Sequence, residues 1–298
     1  MSRDRLRSLD GGVPRSSPMA RIGPPMRGGE PGPPARKITE GVPLAKLIKR
    51  RLAADPELVM LSQSRSIAAE KFRRLKTILT NLRTPNAQAI VVTSAGPGEG
   101  KSLVSINLAL AFAADGDGEV LLIDADLRRP AIGQWISPAP KLGLADLLSE
   151  QIELDHALLE LENSPLRILP AGTPPDDPVE LLGSDRARDL VGTLRKRFRR
   201  VIIDTPPSVP FTDADAIGAH CDGALLVVRA RVARAASFIQ VTESLTSTPI
   251  LGIVLNDLTF SLADSDSYHG YEQGYHEYYA AERRKAKATG HEPKETKP

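Results

Sequence analysis

From residue 88 onward the chain alternates short, wholly apolar runs with stretches whose apolar residues recur every three or four positions. AIVVTS (89–94), EVLLI (119–123), LRIL (166–169), RVIID (200–204), GALLVVR (223–229) and ILGIVLN (250–256) read as strands. Strands apolar along their whole length are buried on both faces, which predicts a parallel sheet covered by helices. Helical spacing fills 102–114, 178–198 and 233–246. The expected fold is therefore α/β, a mostly parallel sheet of about seven strands flanked by helices.

Upstream, Ala68, Phe72, Leu75, Leu79 and Leu82 make one helical stripe over 66–83, with Ser66 as N-cap and Pro85 ending the pattern. Residues 42–52, VPLAKLIKRRL, read as a solvated basic stretch leading into the domain, with a short amphipathic helix as the alternative. Residues 1–41 are rich in Pro, Gly and Arg and too poor in apolar side chains to offset chain entropy. The chain turns polar again from 261. The expected organisation is 1–61 as a disordered segment containing the basic stretch, 62–260 as the folded domain, and 261–298 as a flexible tail.

Composition narrows the chemistry. Among 298 residues there are 39 Lys+Arg and 37 Asp+Glu, so net charge argues for no particular partner. One cysteine, Cys221, permits no intrachain disulfide and no thiolate metal cluster. No apolar run reaches the ~18 residues of a membrane span, and the N-terminus lacks the apolar core of a signal peptide. A cytoplasmic location is expected, with any membrane association peripheral or through a partner.

Between the first apolar strand and the first helix after it stands Ala95-Gly96-Pro97-Gly98-Glu99-Gly100-Lys101-Ser102. A glycine-rich turn ending in Gly-Lys-Ser, between strand and helix, is a phosphate-binding loop (P-loop). Its backbone N–H groups and the helix N-terminus face a phosphate chain. Lys101 would reach the β/γ-phosphates, and Ser102 would ligate Mg2+. LLIDADLRRP ends a strand with Asp124 and Asp126, and VIIDTPP ends another with Asp204. Ligands of open parallel sheets bind beyond the C-terminal strand ends, so all three carboxylates should converge on the loop. Asp204 fits a magnesium role; Asp124 and Asp126 fit a general base and a second magnesium contact.

SAGPGEGKS, LLIDADLRRP and VIIDTPP together resemble the bacterial tyrosine kinases of capsule and exopolysaccharide assembly, P-loop ATPases related to MinD and ParA. The signature lysine of the partitioning relatives is missing from Gly96-Pro97-Gly98, which favours the kinase branch. ILPAGTPPDDPVELLGS (168–184) is also similar to that family. The resemblance spans roughly 62–279. It implies a nucleotide set of Gly96, Gly98, Glu99, Gly100, Lys101, Ser102, Leu103 and Asn256, the last at adenine. It also implies catalytic Lys101, Asp124 and Asp126, and magnesium on Ser102, Asp126 and Asp204. Glu70, Arg73 and Lys76 match, with Lys for the final Arg, a motif through which such kinases form a ring.

All five tyrosines, Tyr268, Tyr271, Tyr275, Tyr278 and Tyr279, lie within twelve residues, among Ser, His, Gly, Gln and the acidic Asp264, Asp266, Glu272 and Glu277. That is no core stripe. A tyrosine cluster on a tail can reach an active site, and each added phosphate brings about −1.5 to −2 charges, so phosphorylation should release it. The expected activity is ATP- and Mg2+-dependent autophosphorylation of this cluster in trans within a homo-oligomer, ring or dimer. The resemblance further implies a separate membrane-embedded activator or polysaccharide co-polymerase, a cognate tyrosine phosphatase, no nucleic-acid partner, and a place at the inner face of the cell membrane. The alternative is a partitioning-type ATPase switch that recruits a partner and leaves tyrosine unmodified.

Overall fold

The computed structural model describes residues 48–82, 87–116, 118–162, 164–230 and 235–257. In chain order the strands are β1 (Ile48–Leu52), β2 (Ala89–Ser94), β3 (Val120–Asp124), β4 (Ile136–Ser137), β5 (Leu159–Leu161), β6 (Leu166–Leu169), β7 (Arg200–Asp204), β8 (Gly223–Arg229) and β9 (Ile250–Asn256). The helices are α1 (Val59–Ser62), α2 (Ile67–Thr80), α3 (Lys101–Ala113), α4 (Leu144–Leu148), α5 (Leu154–Ala157), α6 (Pro178–Gly183), α7 (Asp185–Arg197), α8 (Asp213–Gly218) and α9 (Ala235–Ser244).

The strands form one sheet in the order β4-β1-β5-β6-β3-β7-β2-β8-β9. From β6 to β9 every neighbouring pair is parallel. β2, β3 and β6 are buried at every position. Successive side chains leave a strand on opposite faces, and the core divides accordingly. Val91, Leu121, Ile123 and Ile203 pack with Leu147, Leu182, Leu190, Leu194 and Ile217. Ile90, Val92, Leu122 and Ile202 pack with Leu58, Leu79, Ile106, Leu108 and Phe112 on the other face. α3 is buried at eleven of its thirteen positions. The helix carrying the phosphate loop is thus a core element and gives that loop a rigid base.

The sheet has nine strands where about seven were expected. β1, β4 and β5, which are not among the six runs read as strands, build one edge. Residues 48–52 also form a strand, neither the solvated stretch nor the helix weighed for 42–52. Ile48–Arg50 pair in parallel with Leu159–Leu161, and Arg51–Leu52 pair antiparallel with Ser137 and Ile136. A basic, mostly exposed strand suits a sheet margin, where charge blunts further pairing. The fold therefore begins upstream of 62, and residues 42–47 lie outside the described residues. In α2, Ser66 accepts from the Ala69 N–H as expected. The buried stripe uses Ala69 and Leu79, while Ala68 is exposed. The 178–198 pattern is two helices. Asp177 caps the first, and Ser184 ends it and caps the second through the Ala187 N–H.

The segment before α2 is held by one buried polar residue. Asn107 of α3 accepts from the Met60 N–H at 3.2 Å and donates to the Glu57 carbonyl at 3.0 Å. Replacing it with the similarly shaped Leu strands both groups. Asn107→Leu is expected to cost about 2–3 kcal/mol, read from urea unfolding. A loss below about 0.5 kcal/mol, the scale of ordinary surface changes, would contradict this anchoring.

Candidate active site

β2, β7 and β3 lie side by side, with Val92 opposite Asp204 and Asp204 opposite Asp124. Their C-terminal ends therefore deliver the phosphate loop and the carboxylates to one place. The loop closes through two left-handed glycines, Gly98 at φ 77° and Gly100 at φ 89°. A Cβ at Gly100 would also lie 2.1 Å from Asn256 Nδ2, so both backbone and space require glycine there.

Glu99 acts as a brace. Its carboxylate is buried; Oε1 accepts from the Gly96 N–H at 2.6 Å and Oε2 from the Arg229 N–H at 3.0 Å. Asn256 Nδ2 donates to the Glu99 carbonyl at 2.9 Å. Arg229 Nε and Nη2 each lie 2.8 Å from Asp257 Oδ2. The loop is thus tied to the ends of β8 and β9. The side chains of Glu99 and Asn256, both expected on nucleotide, hydrogen-bond to backbone groups of the loop. Leu103 packs its side chain against the α3-side core.

Lys101 Nζ lies 2.9 Å from Asp126 Oδ2 and 3.4 Å from Ser102 Oγ. Burial alone would lower its pKa, but the charges of Asp204, Asp126 and Asp124 outweigh this and hold it above the usual value. Asp126 Oδ1 accepts from the Arg129 N–H at 2.9 Å. Asp124 is fully buried. Its Oδ2 accepts from the Ala131 and Ile132 N–H groups at 3.1 and 2.9 Å, and its Oδ1 from the Asp126 N–H at 3.2 Å. Burial and the nearby Asp204 charge push the Asp124 pKa up to about 8. β3 ends at Asp124, so Asp126 lies two residues beyond the strand.

Asp204 is also fully buried, with Ser105 Oγ 3.1 Å from Oδ1. Burial raises its pKa to about 6 against the lowering effects of Lys101, Ser102 and Ser105. Its Oδ2 is buried without a hydrogen-bond partner. An orphaned carboxylate oxygen beside a serine hydroxyl is a hard-oxygen donor set that suits Mg2+. Among the described residues no three His, Cys, Asp or Glu side chains form a metal cage. Mg2+ needs none, since it takes most of its ligands from water and phosphate.

Sequence reasoning missed Ser105, one helical turn beyond Lys101, although that spacing was its signal. It also missed Arg128, whose Nε donates to the buried Asp213 at 2.9 Å and whose guanidinium stacks 4.4 Å from the Phe211 ring centroid. Away from the site, Arg73 pairs with Glu70 within α2, and Lys76 reaches Asp115 at 2.5 Å. All three residues of the expected ring motif thus have partners inside the chain. The five tyrosines lie outside the described residues.

No family model matches the chain. Tyrosine-protein kinase YwqD of Bacillus subtilis is 30% identical over 224 residues, which cover 73% of this chain and 93% of that protein. The succinoglycan biosynthesis transport protein ExoP of Rhizobium meliloti is 32% identical over 231 residues, 74% of this chain but 29% of that protein. Among solved structures, the kinase domain of the Escherichia coli tyrosine kinase ETK superimposes with a TM-score of 0.63 at 28% identity, covering 68% of this chain and 83% of that one.

The buried carboxylates make stability depend on pH in the absence of nucleotide and metal. The fold holds the Asp124 proton more tightly than the unfolded chain does, where the ordinary value is 3.8. Its contribution is therefore complete below about pH 4 and lost as pH rises through about 8. Calorimetry is expected to show wild-type Tm falling relative to Asp124→Asn across that window. A Tm difference that stays constant with pH would show that Asp124 is ionised throughout.

Proposed function

The chain belongs to the bacterial tyrosine kinase family, and from that premise we propose that it phosphorylates the tyrosines at 268–279 of its own kind, in trans within a homo-oligomer. It acts in the control of exopolysaccharide or capsule polymerisation. The observation that carries this reading is the convergence of Lys101 with Asp124, Asp126 and Asp204 at the ends of three adjacent strands. That is machinery for placing and neutralising a transferring phosphoryl group. Confinement of every tyrosine to one acidic segment supplies the acceptor. The name of ExoP supports the polymer context. The activator is a separate membrane-embedded co-polymerase, and a tyrosine phosphatase resets the system. The kinase works from the cytoplasmic side of the membrane, held there by its partner. Among the described residues no helix is long and apolar enough to cross a membrane.

The loop, braced by Glu99, presents its N–H groups to the phosphates, and Lys101 reaches the β/γ oxygens. Ser102, Asp126 and Asp204 would hold Mg2+, which would supply charge neutralisation. Asp126 fixes the Lys101 ammonium. Asp124 in its ionised form takes the tyrosyl proton as the phenol oxygen attacks the γ-phosphorus and ADP leaves. Product charge then accumulates on the acceptor segment and drives it out.

The test is Mg-ATP incubation of the full chain beside Lys101→Met, with and without the activator's cytoplasmic segment, followed by phosphosite mapping. Phosphate within 268–279 is expected in wild type alone. Asp126→Asn, which frees Lys101, should lower kcat by about 100-fold or more. ATP hydrolysis without tyrosine phosphate, even with activator, would overturn the kinase reading for this tail and leave the ATPase switch.

A further inference from the structure

The site is built from three carboxylates, yet the acceptor proposed for it is itself acidic. Asp264, Asp266, Glu272 and Glu277 flank its tyrosines. Such a segment needs a cation at the place where it enters.

Topology says where that place is. The phosphate loop follows β2 and is tied by Arg229 and Asn256 to β8 and β9. The nucleotide is thus anchored on the β8–β9 side. β3 lies on the opposite side, beyond β7. In-line transfer puts the incoming and leaving oxygens on opposite sides of phosphorus. The acceptor therefore enters over the β3 turn and the loop after β7. Within 125–131 and 205–213 the cations are Arg128 and Arg129.

Arg128 is the one held in place. It bridges the two segments, with Nε on Asp213 and its plane on Phe211. Asp213 is fully buried, while the Arg128 side chain keeps 31% of its exposure. Only Nε is engaged by the described residues, which leaves the outer edge of the guanidinium available. A guanidinium fixed by stacking and by a buried carboxylate loses little entropy on binding a second carboxylate. Val209, two residues before Phe211, is exposed and offers apolar surface on the same loop.

We propose that Arg128 is an acceptor-specificity residue, whose guanidinium receives a carboxylate flanking the tyrosine to be phosphorylated on a second copy of this chain. The inference rests on the acceptor reading above and goes further by naming what the site recognises.

The test is a double-mutant cycle between enzyme and peptide. The enzyme is the full chain with its five tyrosines changed to Phe, with or without Arg128→Gln. The peptides are residues 262–282 and a version in which Asp264, Asp266, Glu272 and Glu277 become Asn or Gln. With Arg128 present, neutralising the peptide should raise its KM by about tenfold, the scale of a lost charge-assisted contact. With Arg128→Gln the same neutralisation should change KM by less than about twofold, because that contact is already gone. If the single variant fails to fold because Asp213 is left unpaired, Arg128→Gln with Asp213→Asn serves in its place. An equal KM penalty in both enzymes, or none in wild type, would overturn the assignment while leaving the kinase reading intact. Absence of phosphate on both peptides with Arg128 present and the activator's cytoplasmic segment added would instead remove the acceptor reading, and this proposal with it.

Discussion

Three carboxylates and one ammonium share a buried pocket, and most of the architecture is what that arrangement demands. A buried charge without a partner is costly, and here acids outnumber the lysine. The fold meets this in two ways. It gives oxygens to backbone N–H groups, as Asp124 does with Ala131 and Ile132. It also pushes carboxyls toward their neutral forms, as burial does for Asp124 and Asp204. One oxygen, Asp204 Oδ2, remains unsatisfied. The pocket is electrostatically incomplete by itself, and a magnesium–nucleotide complex has the charge and ligand chemistry to complete it.

Holding such a pocket open takes a rigid frame. Parallel pairing puts Val92, Asp204 and Asp124 in one row, so three strand ends arrive together. The buried α3 fixes the phosphate loop from below, while Glu99 and Asn256 fix it from the side. The loop needs little rearrangement to receive phosphates, and its binding energy is available for orientation. On the far side, Arg128 ties the β3 turn to the segment after β7, so donor and acceptor flanks are each anchored to their own pair of strands.

Much of this was legible in the chain. The wholly apolar runs gave β2, β3, β6, β7 and β8, because strands buried on both faces leave no ambiguity; β9 was read the same way but is an edge strand with no buried position. Gly-Lys-Ser and the Asp-ended strands located the pocket for the same reason: their chemistry requires those residues at strand ends. What escaped is what tertiary context decides. Residues 48–52 mix basic and apolar side chains in a way that suits a helix face as well as a sheet edge, and only the partners at 136–137 and 159–161 choose. Glu99 sits in a motif whose other members touch phosphate, so its inward turn toward the Gly96 and Arg229 N–H groups had no local signal. The contact of Arg128 with Asp213 spans 85 residues, beyond the reach of any spacing rule.

The central claim is that the acidic pocket is completed by metal-bound nucleotide through Asp204. It is tested most directly by calorimetric titration of ATP into the full chain, with and without Mg2+, for wild type and Asp204→Asn. Mg2+ is expected to tighten ATP binding to wild type by at least about tenfold, or ~1.4 kcal/mol, and Asp204→Asn to lose that gain. Equal magnesium dependence in both proteins would contradict it, because the orphaned oxygen would then have no part in holding the ion.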